Sequence, residues 1–584
     1  MNAQFSPIEN LDALRERWAM QWPAALALWS KFTRLSDPRW RLDPEAAKAE
    51  GLTESFAMIR LTDQAVVVNL HEIAARGLQR FGLEILAHEI GHHVYAPADL
   101  SDHGRLLARM RWALPTKEHL APFVRNLYTD LLINDRLQRS AGLSMAEVYL
   151  TLGGGAANPL WTLYMRMYEI LWSLQRGTLA PTGIPDATEG DARLGARLIR
   201  VYARDWLDGA GRFAALCLPY LLDDDAKDMQ QTLKGWRDMQ NAGGGAQPHG
   251  LTEIEAGERE GAIHPALDPA LSGIDGAGNK PPADGPGGPA GAGGQHREPF
   301  EYGALLRSLG LDLSDHEAAV RYYRERAIPH LVRFPARLRP ESTEPLPEGL
   351  DPWDIGSPLE DADWTQSVLL SPRIIPGMTT LQRVWGTTEG GQPRKEPLDL
   401  DLYVDSSGSI ANPQVNVSYL TLAGAIVALS ALRAGARVQV TLWSGAGQFQ
   451  TTRGFISDEH PILQILTGYI GGATAFPIHI LRDTFEARKP TDRPAHVLII
   501  SDDGVTTLFD KDEKGNDGGD IARMALAKAR GGGTLVLNLG GDWQGNPALK
   551  RAHDEQGWQI SVVRTWEELV AFARAFSRLK YAGD

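Results

Sequence analysis

Leu400-Asp401-Leu402-Tyr403-Val404-Asp405-Ser406-Ser407-Gly408-Ser409 is an apolar run that breaks into a carboxylate and a string of hydroxyls. Its first half, Leu400 to Val404, reads as a buried strand, and its second half as the loop leaving it. Three later runs repeat the first half: Val438 to Trp443, His496 to Ile500 and Thr534 to Leu539. Helical segments separate them. Apolar strands alternating with helices predict a mostly parallel sheet covered on both faces, so residues 397–584 are expected to form a doubly wound α/β domain. Such sheets bind ligands beyond the carboxyl ends of their strands. Asp405, Ser407 and Ser409, at alternating positions on that loop, offer the hard oxygen atoms that Mg2+ prefers. A loop that only caps the next helix would use the same residue types.

His88-Glu89-Ile90-Gly91-His92 is an independent signature. Histidines four apart share one helix face, with β-carbons about 5–6 Å apart, so both imidazoles reach one Zn2+ at roughly 2.0–2.1 Å. Glu89 lies between them, placed to hold a water and take its proton. Leu83, Leu86, Ala87, Ile90 and Val94 predict the apolar stripe of this helix, with His88, Glu89 and His92 on the other side. Ala65 to Leu70 is short and β-branched and predicts a strand before it. By analogy with zinc peptidases, its stretch from Val66 to Asn69 is expected to hold an extended substrate by edge pairing.

Position 98, where one large class of zinc peptidases has a third histidine, is alanine. Asn126, Asp130 and Asn134 stand four apart in an otherwise apolar segment. A polar stripe on a buried helix is costly without a partner, and a metal supplies one. Asp130 is therefore the expected third ligand, with Asn126 and Asn134 behind the ligands as orienting groups. His93 points about 100° away from His92 and reads as an ordinary helix histidine. Tyr95, Tyr128 and His103 are candidates for stabilising an oxyanion, and each also reads as structural.

The chain has 584 residues, which suits roughly two to four domains. Residues 1–240 are patterned mostly as helices, with Leu11, Leu14, Trp18 and Trp22 at helical spacing and Trp161, Tyr164, Met165 and Tyr168 repeating it. Residues 241–298 hold Gly/Pro-rich runs such as 242–245 and 285–289, the composition of a flexible tether. Residues 299–396 form a mixed connection. Within it, Tyr302 to Leu309 and His316 to Arg333 read as helices, and the proline-rich Arg337 to Pro352 as a crossing segment.

A net charge of −14 disfavours nucleic acid as a partner. Cys217 is the single cysteine, which excludes a disulfide framework and a cysteine zinc cluster and suits a reducing cytoplasm. Met1 to Glu9 is polar, so no signal peptide is expected, and no apolar run is long enough for a transmembrane helix. The chain has no Gly-x-x-x-x-Gly-Lys-Ser/Thr loop and is not expected to hydrolyse nucleotides itself.

The helix pair between Ala57 and Leu137 resembles a bacterial family of metallopeptidase domains that precede von Willebrand factor A-like domains. That resemblance implies a mainly α, zincin-like fold for the N-terminal part. Residues 397–565 resemble von Willebrand factor A domains, with Asp405, Ser407 and Ser409 matching their metal-ion-dependent adhesion site. Gly471-Gly472-Ala473-Thr474 matches the glycine-threonine loop, which makes Thr474 an implied ligand. Ile499-Ile500-Ser501-Asp502-Asp503-Gly504 matches the strand-end aspartate; Asp502 is preferred because it directly follows the strand, and Asp503 remains open. Together these resemblances imply a cytoplasmic zinc-dependent metallopeptidase that docks a protein partner or substrate through Mg2+. They also imply a separate MoxR-type AAA+ ATPase as companion. The rival expectation is a non-catalytic metal-binding adaptor coupling such an ATPase to its client.

Overall fold

Leu14, Trp18, Trp22, Ala25 and Trp29 recur at helical spacing, and all five are buried on one side of α1 (Leu11–Trp29). Asn10 starts this helix by accepting a hydrogen bond from the Asp12 backbone N–H, one of the donors a helix leaves unpaired at its start. The computed structural model describes residues 10–52, 55–153, 158–222, 247–272, 295–338, 344–388, 395–576 and 578. It divides into two compact units, Met1–Glu325 with Gln414–Val417, and Arg326–Pro413 with Ser418–Asp584.

In the first unit α1 is followed by β1 (Arg39–Arg41), α2 (Pro44–Ala49), β2 (Ala57–Arg60), β3 (Ala65–Asn69), α3 (Leu70–Ala75), α4 (Gly82–Val94) and α5 (Leu100–Ala113). Then come α6 (Ala121–Ser140), α7 (Met145–Leu152), α8 (Pro159–Leu171), α9 (Asp186–Val201) and α10 (Trp206–Leu221). β3 is the expected strand, but it is the middle one of the order β1-β3-β2, parallel to β1 and antiparallel to β2. Its five residues are all buried. Edge pairing of a substrate with Val66 to Asn69 is therefore ruled out, because both ladder sides of β3 are already used.

α4 also departs from a one-sided stripe. Ile85, Leu86, Ala87, His88, Glu89, Ile90, Gly91 and His92 are all buried, whereas Leu83 is half-buried and Val94 is 37 % exposed. The cause is enclosure: α4 packs against α1, α6 and β2 together. Gly91 permits the closest approach, since a β-carbon there would lie 2.6 Å from both Ile133 Cγ2 of α6 and Trp29 Cζ2 of α1. The indole N–H of Trp29 donates to the Ala87 carbonyl at 2.7 Å and ties α1 to the middle of α4.

The stretch expected to be a tether is in part packed. The Gly/Pro-rich runs 242–245 and 285–289 lie outside the described residues. Between and after them, Leu251 is buried against Gly104, Tyr202 donates to Asp268 at 2.5 Å, and Arg297 pairs with buried Glu258. Averaging the composition over the whole stretch hid a segment with enough apolar residues to join the first unit.

The second unit is built on a six-stranded sheet of order β10-β9-β8-β11-β12-β13. Its strands are β8 (Asp399–Asp405), β9 (Val438–Trp443), β10 (Phe449–Thr451), β11 (Ala495–Ser501), β12 (Arg530–Leu537) and β13 (Trp558–Val562). All pairs are parallel except β9 with the edge strand β10. β8, β9 and β11 are buried along their whole length, as helix-covered parallel strands must be. Tyr403, Val497, Ile499 and Leu535 pack toward helices Ile478–Glu486 and Gly518–Ala529. Helices Tyr419–Arg433 and Trp566–Phe576 pack with each other and with the sheet. β10 and β13 were not foreseen; β10 is three residues long, and β13 alternates polar and apolar residues, so neither looks like its neighbours.

The described residues of the proline-rich Arg337 to Pro352, 337–338 and 344–352, form strands rather than a crossing. β4 (Ala336–Leu338) pairs with β7 (Lys395–Pro397), and β5 (Glu344–Pro352) with β6 (Leu381–Thr388). Each is a two-stranded ribbon, in which one side of a strand needs no donors and proline is tolerated. Among the described residues no helix is long and apolar enough to cross a membrane.

Asp401 is fully buried in β8, where it accepts from Tyr403 Oη at 3.0 Å. Burial raises its carboxyl from an ordinary 3.8 to about 7, with Tyr403 and Arg488 opposing that rise. The folded chain thus holds a proton that the unfolded chain has released, so the stability is full below about pH 4 and is lost as pH climbs toward 7. Asp401→Asn should flatten that slope and raise the unfolding temperature of the second unit at pH 8 by on the order of a few degrees. Thermal unfolding between pH 4 and 8 reads this out, and an unchanged slope in the variant would count against it.

Candidate functional site

His88 and His92 project from consecutive turns of α4 and Asp130 from α6. One ligand atom from each lies within 4.8 Å of the others, and all three residues are buried. The two histidine Nε2 atoms are 3.2 Å apart, and Asp130 Oδ1 lies 3.6 Å from His92 Nε2 and 3.9 Å from His88 Nε2.

The far nitrogen of each ring is tied. His92 Nδ1 lies 3.1 Å from the Ala96 carbonyl oxygen, which can only accept, so this nitrogen carries a proton. His88 Nδ1 lies 2.6 Å from Asn134 Oδ1. With both Nδ1 atoms donating, neutral rings turn two lone pairs on Nε2 toward each other. Protonating one ring would relieve the repulsion, but burial, followed by the nearby His88, holds His92 well below the ordinary histidine range. A divalent cation between the nitrogens satisfies the same geometry without a buried imidazolium. Two imidazoles and a carboxylate are a donor set suited to zinc and leave it an open position.

Asn134 is itself held. Its amide Nδ2 donates to Tyr149 and Tyr168 hydroxyls at 3.0 Å each, and Tyr164 and Tyr168 hydroxyls are 2.9 Å apart. Burial keeps the Tyr164 and Tyr168 phenols far above their ordinary range, so these hydroxyls stay protonated. The tyrosines of α7 and α8 were legible only as core residues at helical spacing; nothing in the sequence joined them to Asn134. Asn126, one turn before Asp130, is buried on the same helix, but Asn134 is the residue that reaches His88.

Glu89 is 1 % exposed. With His88 and Asn134 it borders a cavity of about 40 Å3 whose other walls are Phe56, Ile85, Met145, Val148, Tyr149 and Leu152. The Tyr128 hydroxyl donates to the Trp206 carbonyl at 2.7 Å, and the Tyr95 hydroxyl donates to the Ala203 carbonyl. Both candidates for an oxyanion are thus committed to backbone. His103 is buried, and neither ring nitrogen has a hydrogen-bond partner among the described residues. His93 is half-buried and outside the ligand group.

In the second unit the parallel strands run β9-β8-β11-β12-β13, so the chain order reverses between β8 and β11. That switch point is where such sheets bind ligands. Asp405 ends β8, and Ser501 ends β11 with Asp502 directly after it. Asp405 Oδ1 accepts from the Ser407 N–H at 2.8 Å and Oδ2 from Ser501 Oγ at 2.5 Å. Ser407 and Ser409 hydroxyls are 3.1 Å apart, and Ser409 donates to Asp502 Oδ2 at 2.5 Å. Burial, with Asp502 adding to it, raises the Asp405 carboxyl above its ordinary range, while Ser501 and Ser407 pull the other way. Asp502 belongs to this cluster and Asp503 is exposed.

Thr474 reaches the same place through its loop. A β-carbon at Gly504, just after Asp502, would meet Thr474 Cγ2 at 2.3 Å. Ser406 fixes the loop by accepting from the Gly471 and Ile470 N–H groups at 2.8 Å each, and Ser444 Oγ accepts from Gly472 at 2.9 Å. Gly471, at φ +71°, makes the turn. Ser406, Ser444 and Ser501 were not singled out in the sequence; Ser444 and Ser501 lie at strand ends, which is the signal that was available.

No family model matches the chain, and no curated protein matches it. Among solved structures, a von Willebrand factor type A protein from Catenulispora acidiphila is similar to part of it. The likeness covers 31 % of this chain and 43 % of that one, at 17 % identity and a TM-score of 0.21. The chain therefore spans less than half the length of that protein, and the fold described above rests on strand order and register alone.

If the Asn134 carboxamide orients His88, Asn134→Ala should weaken zinc uptake by about 10–100-fold, as loss of a ligand's hydrogen-bond partner does. Tyr168→Phe should weaken it less. Chelator competition measures both, and wild-type zinc affinity in Asn134→Ala would remove the orienting role.

Proposed function

We propose that the first unit is a zinc-dependent peptidase centre and that the second is a von Willebrand factor A-like docking module using Mg2+. The observation that carries the first half is the pair of tied imidazoles with Asp130 around one buried point, with Glu89 next to His88 in the wall of a neighbouring cavity. A zinc ion bound there would polarise a peptide carbonyl and lower the pKa of water. Glu89 would accept the proton from that water and return it to the leaving amine. Asn134 and the Ala96 carbonyl hold the two imidazoles in the tautomer that leaves Nε2 free to ligate.

In the second unit Asp405, Ser407, Ser409, Thr474 and Asp502 would hold Mg2+, all with oxygen atoms. A carboxylate from a partner protein would complete the coordination. The partner we favour, on the resemblance alone, is a MoxR-type AAA+ ATPase on a separate chain in the cytoplasm; the lack of a Gly-x-x-x-x-Gly-Lys-Ser/Thr loop in this sequence fits an energy source elsewhere.

A second reading has its own support. His92 is fully buried and Asp130 nearly so, and Tyr149, Tyr164 and Tyr168 form a packed hydroxyl cluster behind Asn134. Enclosure of that degree also suits a zinc that holds helices together in a non-catalytic adaptor.

Glu89→Gln separates the two. A peptidase should lose about 10²–10⁴ in kcat with zinc content and unfolding unchanged, whereas full function in this variant would favour the adaptor. Asp405→Ala should abolish Mg2+-dependent capture of the ATPase in both readings; capture equal to wild type would refute the docking module.

A further inference from the structure

In the second unit, the helix Trp364–Leu370 is packed inside out. Ser367 is its single buried residue. The Ser367 hydroxyl donates to the Asp363 carbonyl at 2.7 Å and accepts from the Leu381 N–H of β6 at 2.8 Å, so the side turned to the ribbon is polar and satisfied. The apolar residues stand in solvent instead: Trp364 is 48 % exposed, Val368 54 %, Leu370 60 % and Leu369 74 %. Ile355 and Met378, on the flanking loops, are exposed as well. Almost half of the exposed large apolar side chains among the described residues lie between Leu350 and Trp385. Exposed leucines scattered singly are ordinary, but a concentration of this kind marks a surface that another molecule covers.

The surrounding charges say which molecule. Asp363 is paired with Arg383. Glu348, Asp351, Asp354, Glu360 and Asp361 are exposed around it, with Arg373 as the one remaining cation from Glu348 to Trp385. We propose that this face docks a basic amphipathic helix of a partner protein. An apolar stripe on that helix covers Trp364, Val368 and Leu369, and its lysines and arginines meet the carboxylates.

Trp364 and Val368, four apart, form a ridge of the sort a second helix packs against. An extended segment fits poorly, because Pro345, Pro347 and Pro352 interrupt the row of donors that strand addition to β5 needs. Two copies of the same acidic face would repel each other across a two-fold axis. An anionic bilayer would be repelled for the same reason. The face calls for cations where the Mg2+ loop calls for a carboxylate, so it stands apart from the docking proposed above.

Fluorescence anisotropy on the full chain tests this with a labelled synthetic helix bearing leucine on one face and lysine on the other. EDTA keeps the Mg2+ loop silent. Two further helices replace the leucines by serine or the lysines by glutamate. The leucine–lysine helix should bind at least about tenfold tighter than either. Leu369→Ser with Leu370→Ser should remove that preference, and so should Glu360→Lys with Asp361→Lys. All four positions are exposed, so the fold tolerates the changes. Asp554→Lys with Glu555→Lys reverses as much charge on another exposed helix segment and should leave binding intact. The proposal falls if the three helices agree within about threefold, or if reversal at 554 and 555 weakens binding as much as reversal at 360 and 361. It also falls if the wild-type chain sediments as a dimer that the paired serine variant dissolves, since the occupant is then a second copy. Binding to phosphatidylserine-containing vesicles that the same variant loses would overturn it in favour of a lipid surface.

Discussion

Two imidazoles that each donate from Nδ1 cannot comfortably face each other through Nε2. At 3.2 Å, among buried side chains, that contact calls for a positive charge between the rings. The rest of the first unit is arranged around this demand. α4 supplies the rings, and α6 supplies both the carboxylate in front and the carboxamide behind. α7 and α8 supply the tyrosines that stop the carboxamide from turning over. Gly91 and Trp29 set how closely α1 and α6 approach α4, and so how closely Asp130 approaches the histidines. Core packing and site geometry are here the same set of contacts.

The second unit meets a different requirement. Its acidic residues do not lie in one stretch of chain; Asp405 and Asp502 are 97 positions apart. Strand order brings them together, because β8 and β11 are neighbours while their loops diverge to opposite sides of the sheet. The serines do the local work. Ser501 and the Ser407 amide shield Asp405 from its partial burial, and Ser406 and Ser444 pin the glycine loop that carries Thr474.

Chemistry that repeats at short spacing was legible in the sequence. His88 and His92 declare themselves by a four-residue step, Asn126, Asp130 and Asn134 by two more, and β9 by six consecutive buried residues. What depends on distant partners was not. β3 looks like any short β-branched strand, and only its two neighbours make it central. Tyr149 and Tyr168 look like core aromatics, and only the fold brings their hydroxyls to Asn134. Leu251 and Asp268 were lost in the glycine average of their surroundings. β13 was missed because an edge strand half open to solvent lacks the continuous apolar run that marked its neighbours.

Among the described residues, the ribbon formed by β5 and β6 leaves one flank of β5 without a partner strand. Pro345, Pro347 and Pro352 fall within that nine-residue strand, and the ladder slips between Pro347 and Gly349. A bare strand is a template on which foreign chains can stack, and stacking needs an unbroken row of amide hydrogens. Here the row is interrupted at three places and bent at a fourth. A strand edge broken in this way is a poor template for such stacking.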